Sequence, residues 1–234
     1  MRTELKGKTA VVTGAAGTMG AAVVRAFLED GLRVFAVDVR KASFPDSLTC
    51  DITDARQVEE AATQIGDIDI LVNNAGILSN NKVEASTPEE WRKVMAVNLD
   101  GAFYMARAFV PGMKKKCWGR IVNTCSLAAK SGGITAGTAY TASKGAMTSL
   151  TFSLARELAA FGVTVNGISP AYVKTPMVTE QLTEAQRQAL IAQIPVGRFC
   201  EPEEFAHVVR FLVSPLSGFI TGEIVDLNGG LIMD

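Results

Sequence analysis

Tyr140 and Lys144 stand four residues apart in Tyr140-Thr141-Ala142-Ser143-Lys144, a segment that reads as helix. That spacing puts both side chains on one face, one turn apart. An ammonium beside a phenol favours the phenolate, which turns an inert hydroxyl into an acid–base group usable near neutral pH. The pair alone decides little, because any helix can hold Tyr and Lys at this spacing by chance. Upstream, Ser126 sits just past a strand-like run, and ligands of doubly wound sheets bind at strand ends. A second constellation lies near the N-terminus, where a strand-like TAVVT runs into Thr13-Gly14-Ala15-Ala16-Gly17-Thr18-Met19-Gly20 and then a helix. A glycine-rich turn between strand and helix lets backbone approach a pyrophosphate, and the helix N-terminus offers it N–H groups. The bland reading is a plain tight turn; the order strand, turn, helix favours a nucleotide site. A phosphate-transfer P-loop is excluded, since the Gly-Lys-Ser/Thr ending is absent. Asp38 ends the next strand, 24 residues after Gly14, where a carboxylate can accept from both ribose hydroxyls of an adenosine. The bland reading of Asp38, a surface-turn aspartate, is the weaker one, and weakens further once the glycine turn is granted.

Other chemistries are poorly provided for. The chain has one histidine, so a Ser-His-Asp machine would have to use His207, and no cluster of histidines can hold a metal. His207 lies in a segment, 202–213, that reads as an ordinary amphipathic helix. Cys50, Cys117, Cys125 and Cys200 show no C-x-x-C spacing, so neither a zinc knuckle nor a redox pair is suggested, and scattered cysteines fit a reducing compartment. With 48% hydrophobic and 20% charged residues, intrinsic disorder is ruled out. A net charge of −1 argues against a nucleic-acid partner, and the one basic run, Lys114 to Lys116, reads as a solvated helix end. Residues 9–24 are uncharged, but Gly14, Gly17 and Gly20 interrupt them and Glu4 spoils a basic lead, so no signal peptide and no membrane partner are expected. The expectation is a cytoplasmic protein.

The elements that must position these residues alternate. Strands are expected at 9–13, 33–37, 48–51, 68–73, 119–125, 163–169 and 223–227. Helices are expected at 18–30, stopped by Gly31; at 54–65, with Asp54 as N-cap; at 87–116, with a bend near Gly101 or Pro111; at 138–161, stopped by Gly162; and at 202–213. Thr87-Pro88-Glu89-Glu90 reads as a capping box, with Glu90 reaching back to the cap. Near-continuous apolar strands alternating with helices imply an α/β fold, a single domain over 1–234 with a Rossmann-like, doubly wound sheet of about seven parallel strands and helices on both faces. Residues 177–197 are the least regular stretch and read as a lid over a substrate.

Thr13 to Gly20, Asn73-Asn74-Ala75-Gly76, Asn98, Ser126, the Tyr140–Lys144 segment, Pro170 to Pro176, Ile220-Thr221-Gly222 and Asn228-Gly229-Gly230 occur together and in order. In this the whole chain resembles the short-chain dehydrogenase/reductase family. The resemblance implies that Tyr140 exchanges a proton with the substrate oxygen and Ser126 hydrogen-bonds that oxygen. Lys144 would bind the nicotinamide ribose and favour the Tyr140 phenolate, and Asn98 would hold a water that continues the proton path. Gly14, Gly17, Thr18, Met19 and Gly20 would form the pyrophosphate turn. Asp38 would meet the adenosine ribose, Asp51 and Ile52 the adenine, Asn74, Ala75 and Gly76 the adenosine-ribose side, and Val173 and Thr175 the carboxamide.

Four departures from the family pattern stand out. Thr18 replaces the middle glycine, so the turn would rest on Gly17, with the Thr18 hydroxyl free to reach a phosphate. Ala171 stands where glycine is usual. The usual helix between Asp38 and Asp51 is shortened or lost. Ser126 lies one residue further from Tyr140 than expected, with Cys125 the poorer substitute.

The implied activity is NAD-dependent interconversion of a secondary alcohol and a ketone. The alternatives are reduction of a 3-oxoacyl thioester and, in another class, a silent dinucleotide-binding sensor or scaffold. NAD is expected over NADP because Asp38 would repel a 2′-phosphate and Ala15 to Gly17 and Val39 bring no cation; Arg40 is the one nearby candidate. The resemblance also implies a homotetramer, built on the helices at 87–116 and 138–161 through Ala102, Phe109, Phe152 and Ala155.

Overall fold

The computed structural model describes residues 5–176 and 183–233. Seven strands form one parallel sheet: β1 (Thr9–Thr13), β2 (Arg33–Asp38), β3 (Asp46–Thr49), β4 (Ile70–Asn73), β5 (Gly119–Thr124), β6 (Val163–Pro170) and β7 (Ile224–Leu227). Their spatial order is β3-β2-β1-β4-β5-β6-β7. The order reverses between β1 and β4, which leaves a crevice beyond their carboxyl ends.

Alternation along each strand sends side chains to two cores. Ala10, Val12, Val34, Ile70, Val72 and Val122 pack under α1 (Thr18–Glu29) and α8 (Pro202–Val213), where Phe27 and Phe205 are fully buried. Val11, Val37, Leu71, Ile121 and Val165 face α2 (Ala55–Ile65), α4 (Gly101–Lys116) and α6 (Thr138–Leu158). Burial on both faces explains why the inner strands read as continuous apolar runs. The described residues include no helix long and apolar enough to cross a membrane.

The differences from the sequence reading have physical causes. β3 lies at Asp46–Thr49, not 48–51, because it is an edge strand. It pairs Phe35 with Asp46 through Asp38 with Thr49. An edge needs no apolar run, and Asp46 instead pairs with Arg33 at 3.1 Å. No helix intervenes between β2 and β3, as the short spacing implied. Thr87 caps α3 (Pro88–Met95), accepting from the Glu90 N–H at 3.2 Å. The Glu90 carboxylate does not reach back: Ser79 and Asn81 donate to it instead. The helix expected to bend near Gly101 passes through a π turn at Ala96–Asp100, while Pro111 sits inside α4 without ending it. α6 closes in a 3-10 turn at Ala159–Phe161.

One expectation about association is corrected. Ala102, Phe109 and Ala155 are not outward-facing; each is 4% exposed and belongs to the core, because α4 and α6 lay these faces on the sheet and on each other. Phe152 is exposed, and Phe103 is the outward aromatic of α4. Of the expected lid, 177–182 lie outside the described residues. The remainder includes α7 (Glu184–Ile191), which buries none of its own residues. Beyond it Ile194 and Phe199 pack with Tyr172 and Leu231.

Candidate active site

A cleft of about 1150 Å³ runs across the carboxyl ends of the strands, from the β1–α1 turn to Pro176. Its near end is built on backbone. Gly14 has φ +66°, and the Gly17 N–H closes the turn on the Gly14 carbonyl at 3.1 Å. A Cβ at Gly20 would lie 2.3 Å from that carbonyl oxygen, so α1 can approach the turn only with glycine there. Gly17 is the N-cap of α1, and no side chain caps it. Thr18 takes the first helical position and lines the cleft with Met19. The uncapped N–H groups and the helix dipole suit a pyrophosphate.

Asp38, 8% exposed at the end of β2, accepts from the Ala16 N–H and the Arg40 N–H, each at 3.0 Å. It thereby ties the glycine turn to β2. The Arg40 guanidinium stands 3.7 Å from the same carboxylate, its side chain largely in solvent. Asp51 and Ile52 line the cleft beyond it. The Asp51 carboxylate is held by the backbone and hydroxyl of Thr53, at 2.9 and 2.7 Å. Asn74 lines the cleft, yet its side chain serves the turn: Nδ2 donates to the carbonyls of Thr13 and Gly14, at 3.0 and 3.4 Å. The Thr13 hydroxyl completes the brace, accepting from the N–H groups of Asn74 and Ala75 at 3.0 and 3.1 Å. Sequence reasoning missed Thr13; its signal was a hydroxyl on the last residue of a strand entering a ligand turn.

The far end is built on side chains. Ser126 lies between β5 and the short helix α5 (Ala128–Ser131), with its Oγ accepting from the Ala128 N–H at 3.2 Å. Burial pushes the neighbouring Cys125 thiol up, which keeps it protonated and leaves the serine as the polar group suited to a substrate oxygen. Tyr140 lies in the first turn of α6 and lines the cleft with Ser126 and Lys144. Lys144 is 3% exposed, donates to the Thr124 carbonyl at 2.7 Å, and has its ammonium 5.8 Å from the Tyr140 ring centre. Val173 and Thr175 also line the cleft, and Val173 bridges to Cys200.

Asn98 stands apart from the other predicted residues. It sits in the π turn, fully buried, behind the wall formed by Gly76. Its Oδ1 accepts from the Ile77 N–H at 2.8 Å, and its Nδ2 donates to the Ile77 carbonyl and the Ser143 hydroxyl, both at 3.0 Å. Both ends of the side-chain amide thus splint the loop after β4 to α6. π turns inside helices recur at functional sites. Ser143, which sequence reasoning also missed, passes the contact on to the Tyr140 carbonyl at 2.7 Å. His207 lies exposed on α8, away from the cleft.

Residues 14–232 match a protein-family profile described as enoyl-(acyl carrier protein) reductase. Among curated proteins, the 3-oxoacyl-[acyl-carrier-protein] reductase of Vibrio cholerae is 37% identical, over 98% of this chain and 99% of the relative. The protein of the same name from Thermotoga maritima is 36% identical, over 98% and 99%. Among solved structures, ligand-free aldohexose dehydrogenase from Thermoplasma acidophilum superposes with a TM-score of 0.91 at 32% identity, over 98% of this chain and 95% of that one. A Beutenbergia cavernae protein, provisionally named an NAD(P) dependent gluconate 5-dehydrogenase and holding NADP at low occupancy, gives 0.90 at 32%, over 97% and 98%. These likenesses run the length of the chain and agree with a cleft made from a glycine turn at one end and a Tyr-x-x-x-Lys helix at the other. The chain therefore belongs to the short-chain dehydrogenase/reductase family, as an oxidoreductase that uses a nicotinamide cofactor.

Proposed function

We propose that this enzyme reduces the 3-oxo group of an acyl thioester to a hydroxyl, with NAD(H) as its preferred cofactor. The carrying observation is the placement of Ser126, Tyr140 and Lys144 at one end of the cleft, in a chain 37% identical to a 3-oxoacyl-[acyl-carrier-protein] reductase. A bound nicotinamide supplies the hydride. Ser126 donates a hydrogen bond to the carbonyl oxygen. Tyr140 delivers its phenolic proton to the same oxygen as negative charge develops there. Lys144, fixed by the Thr124 carbonyl, places a positive charge beside that phenol. The residues at the glycine turn fit the adenosine end of the cofactor: an uncapped helix start for the pyrophosphate, and Asp38 for the ribose.

Asp38 supports NAD. Its carboxylate is held at the end of β2 by two backbone N–H groups, so a 2′-phosphate there would meet a fixed negative charge. Arg40, 3.7 Å away with its side chain largely in solvent, supports the competing NADP reading. The more general reading, exchange of a simple secondary alcohol and ketone, is favoured by the likeness to an aldohexose dehydrogenase. One panel separates these. Initial rates are measured with NADH and NADPH against a 3-oxoacyl thioester, an enoyl thioester, an aldose and a plain ketone. The proposal expects highest kcat/KM for the 3-oxoacyl thioester and at least about tenfold preference for NADH, equivalent to ~1.4 kcal/mol. Equal efficiency with NADPH would overturn the cofactor assignment and point to Arg40. A homotetramer resting on exposed Phe103 and Phe152 is part of the same proposal, checked by light scattering.

A further inference from the structure

α6 begins without a side chain of its own to cap it. The first N–H groups of a helix need acceptors, and here another loop provides them. The Gly137 N–H donates to the Ser79 carbonyl at 2.7 Å and the Thr138 N–H to the Asn81 carbonyl at 3.0 Å. The approach is so close that a Cβ on Gly137 would lie 2.4 Å from the Asn81 oxygen. The same loop is braced from α3, since Ser79 and Asn81 also donate to the Glu90 carboxylate. Those two bonds hold the Glu90 carboxyl below the usual range, so it stays an acceptor at neutral pH. Lys82 then closes the arrangement. Its ammonium donates to the Gly133 carbonyl at 2.8 Å and to the Ala136 carbonyl at 2.6 Å. Between these two carbonyls lie Ile134 and Thr135, which line the cleft beside Tyr140, and Ile134 is 62% exposed. Gly132 and Gly133 both have positive φ, at 73° and 77°, so glycine is what lets the chain turn into this wall.

We propose that Lys82 is a positioning residue: by clamping the 133–136 wall to the 79–82 loop, it fixes the start of α6 and the surface against which the acyl part of the substrate lies beside Tyr140. The inference rests on reading the cleft as a carbonyl-reducing site. An ammonium suits the task because it can serve several carbonyls at once and tolerates their spread. Lys82 touches neither the glycine turn nor Asp38, and Lys144 is held separately by the Thr124 carbonyl, so loss of Lys82 should leave cofactor affinity nearly unchanged. Small displacements of a substrate relative to the reacting groups cost rate steeply.

The test compares Lys82→Met, Lys82→Arg and Glu90→Gln with the wild type. For Lys82→Met the expectation is a rise of about tenfold in KM for the thioester together with a fall in kcat, and a cofactor Kd within about twofold of wild type. Amide exchange in 131–141 should quicken about tenfold, while β1 and β4 stay protected. Lys82→Arg, which keeps the donors, should restore most of the kinetics, and Glu90→Gln should show a weaker version of the same exchange pattern. Unchanged kinetics and exchange in Lys82→Met, no rescue by Lys82→Arg, or equal loss of cofactor affinity would each overturn the assignment. If the wild type reduces no 3-oxoacyl thioester, the substrate reading fails, while the exchange comparison still decides whether Lys82 holds the wall.

Discussion

The two ends of the cleft are held by different means. At the β1–α1 turn each fastening joins a backbone N–H to a backbone carbonyl or to a short side chain: Gly17 N–H to the Gly14 carbonyl, Ala16 N–H and Arg40 N–H to the Asp38 carboxylate, and Asn74 and Ala75 N–H to the Thr13 hydroxyl. Beyond the substrate end the fastenings include charged side chains outside the cleft lining: Lys82 to the Gly133 and Ala136 carbonyls, Lys130 to Asp226 at 2.7 Å, Lys174 to Glu201 at 3.0 Å and Arg198 to Glu204 at 2.6 Å. The backbone cradle of the glycine turn suits the pyrophosphate that all dinucleotides share, and Asp38 adds a charged group for the ribose. A wall held by charged side chains on loops can be rebuilt without disturbing that cradle.

The sharpest way to break this contrast is at the proton carrier. Tyr140→Phe removes one hydroxyl from the substrate end and nothing from the cradle. It should lower kcat by about 100-fold or more while cofactor Kd stays within about twofold. Comparable damage to both would mean that the two ends are not separable.

The converse substitution is Gly20→Ala. Its methyl would fall 2.3 Å from the Gly14 carbonyl, so α1 must back away from the turn. Overpacking of this kind typically costs ~1–3 kcal/mol. Cofactor Kd, read by fluorescence titration, should rise by at least about tenfold, equivalent to ~1.4 kcal/mol. An unchanged Kd would show that the turn has slack the geometry does not suggest. A milder change at the same end is Asp38→Ala combined with Val39→Arg, which should move the kcat/KM ratio about tenfold toward NADPH.

Acid should loosen the Arg198–Glu204 contact at the start of α8. Arg198 and the Glu201 N–H hold the Glu204 carboxyl down, at about 2, well below its unfolded value near 4.3. A depressed carboxyl contributes stability above the unfolded value and loses it as pH falls through the folded one. The Tm difference between wild type and Glu204→Gln should therefore be present at pH 7, shrink below about pH 4.3 and vanish near pH 2. A difference independent of pH would show that the carboxylate charge is not what matters. The smallest effect belongs to neither end. Cys117 ends α4 with φ +51°, a left-handed position that favours glycine. Cys117→Gly should raise stability by ~0.5–1 kcal/mol in urea unfolding and leave kinetics untouched.

What could be read from the sequence follows the same divide. The cradle is contiguous and local: a strand, a glycine turn, a helix and an acid at the next strand end obey rules written within 30 residues, so Gly14, Gly17, Gly20 and Asp38 were legible. So was the α6 pair, because helical spacing alone places Tyr140 beside Lys144. What was hidden depends on partners far along the chain. Glu90 looked like a capping-box acid, but its better donors, Ser79 and Asn81, come from a loop. β3 was displaced because an edge strand carries polar residues that pattern reading passes over. Ala102, Phe109 and Ala155 looked available for a partner subunit until α4 and α6 were packed. Asn98 was found, but its splint between Ile77 and Ser143 rests on a π turn with no local sequence signal.

The most direct test of the central reading follows the hydride. The wild-type enzyme is given a 3-oxoacyl thioester and NADH deuterated at the transferable C4 position, and the product is examined by mass spectrometry and NMR. A 3-oxoacyl reductase yields a 3-hydroxyacyl thioester carrying one deuterium on C3. No deuterated product from this substrate, or turnover confined to an enoyl thioester offered in its place, would overturn the assignment.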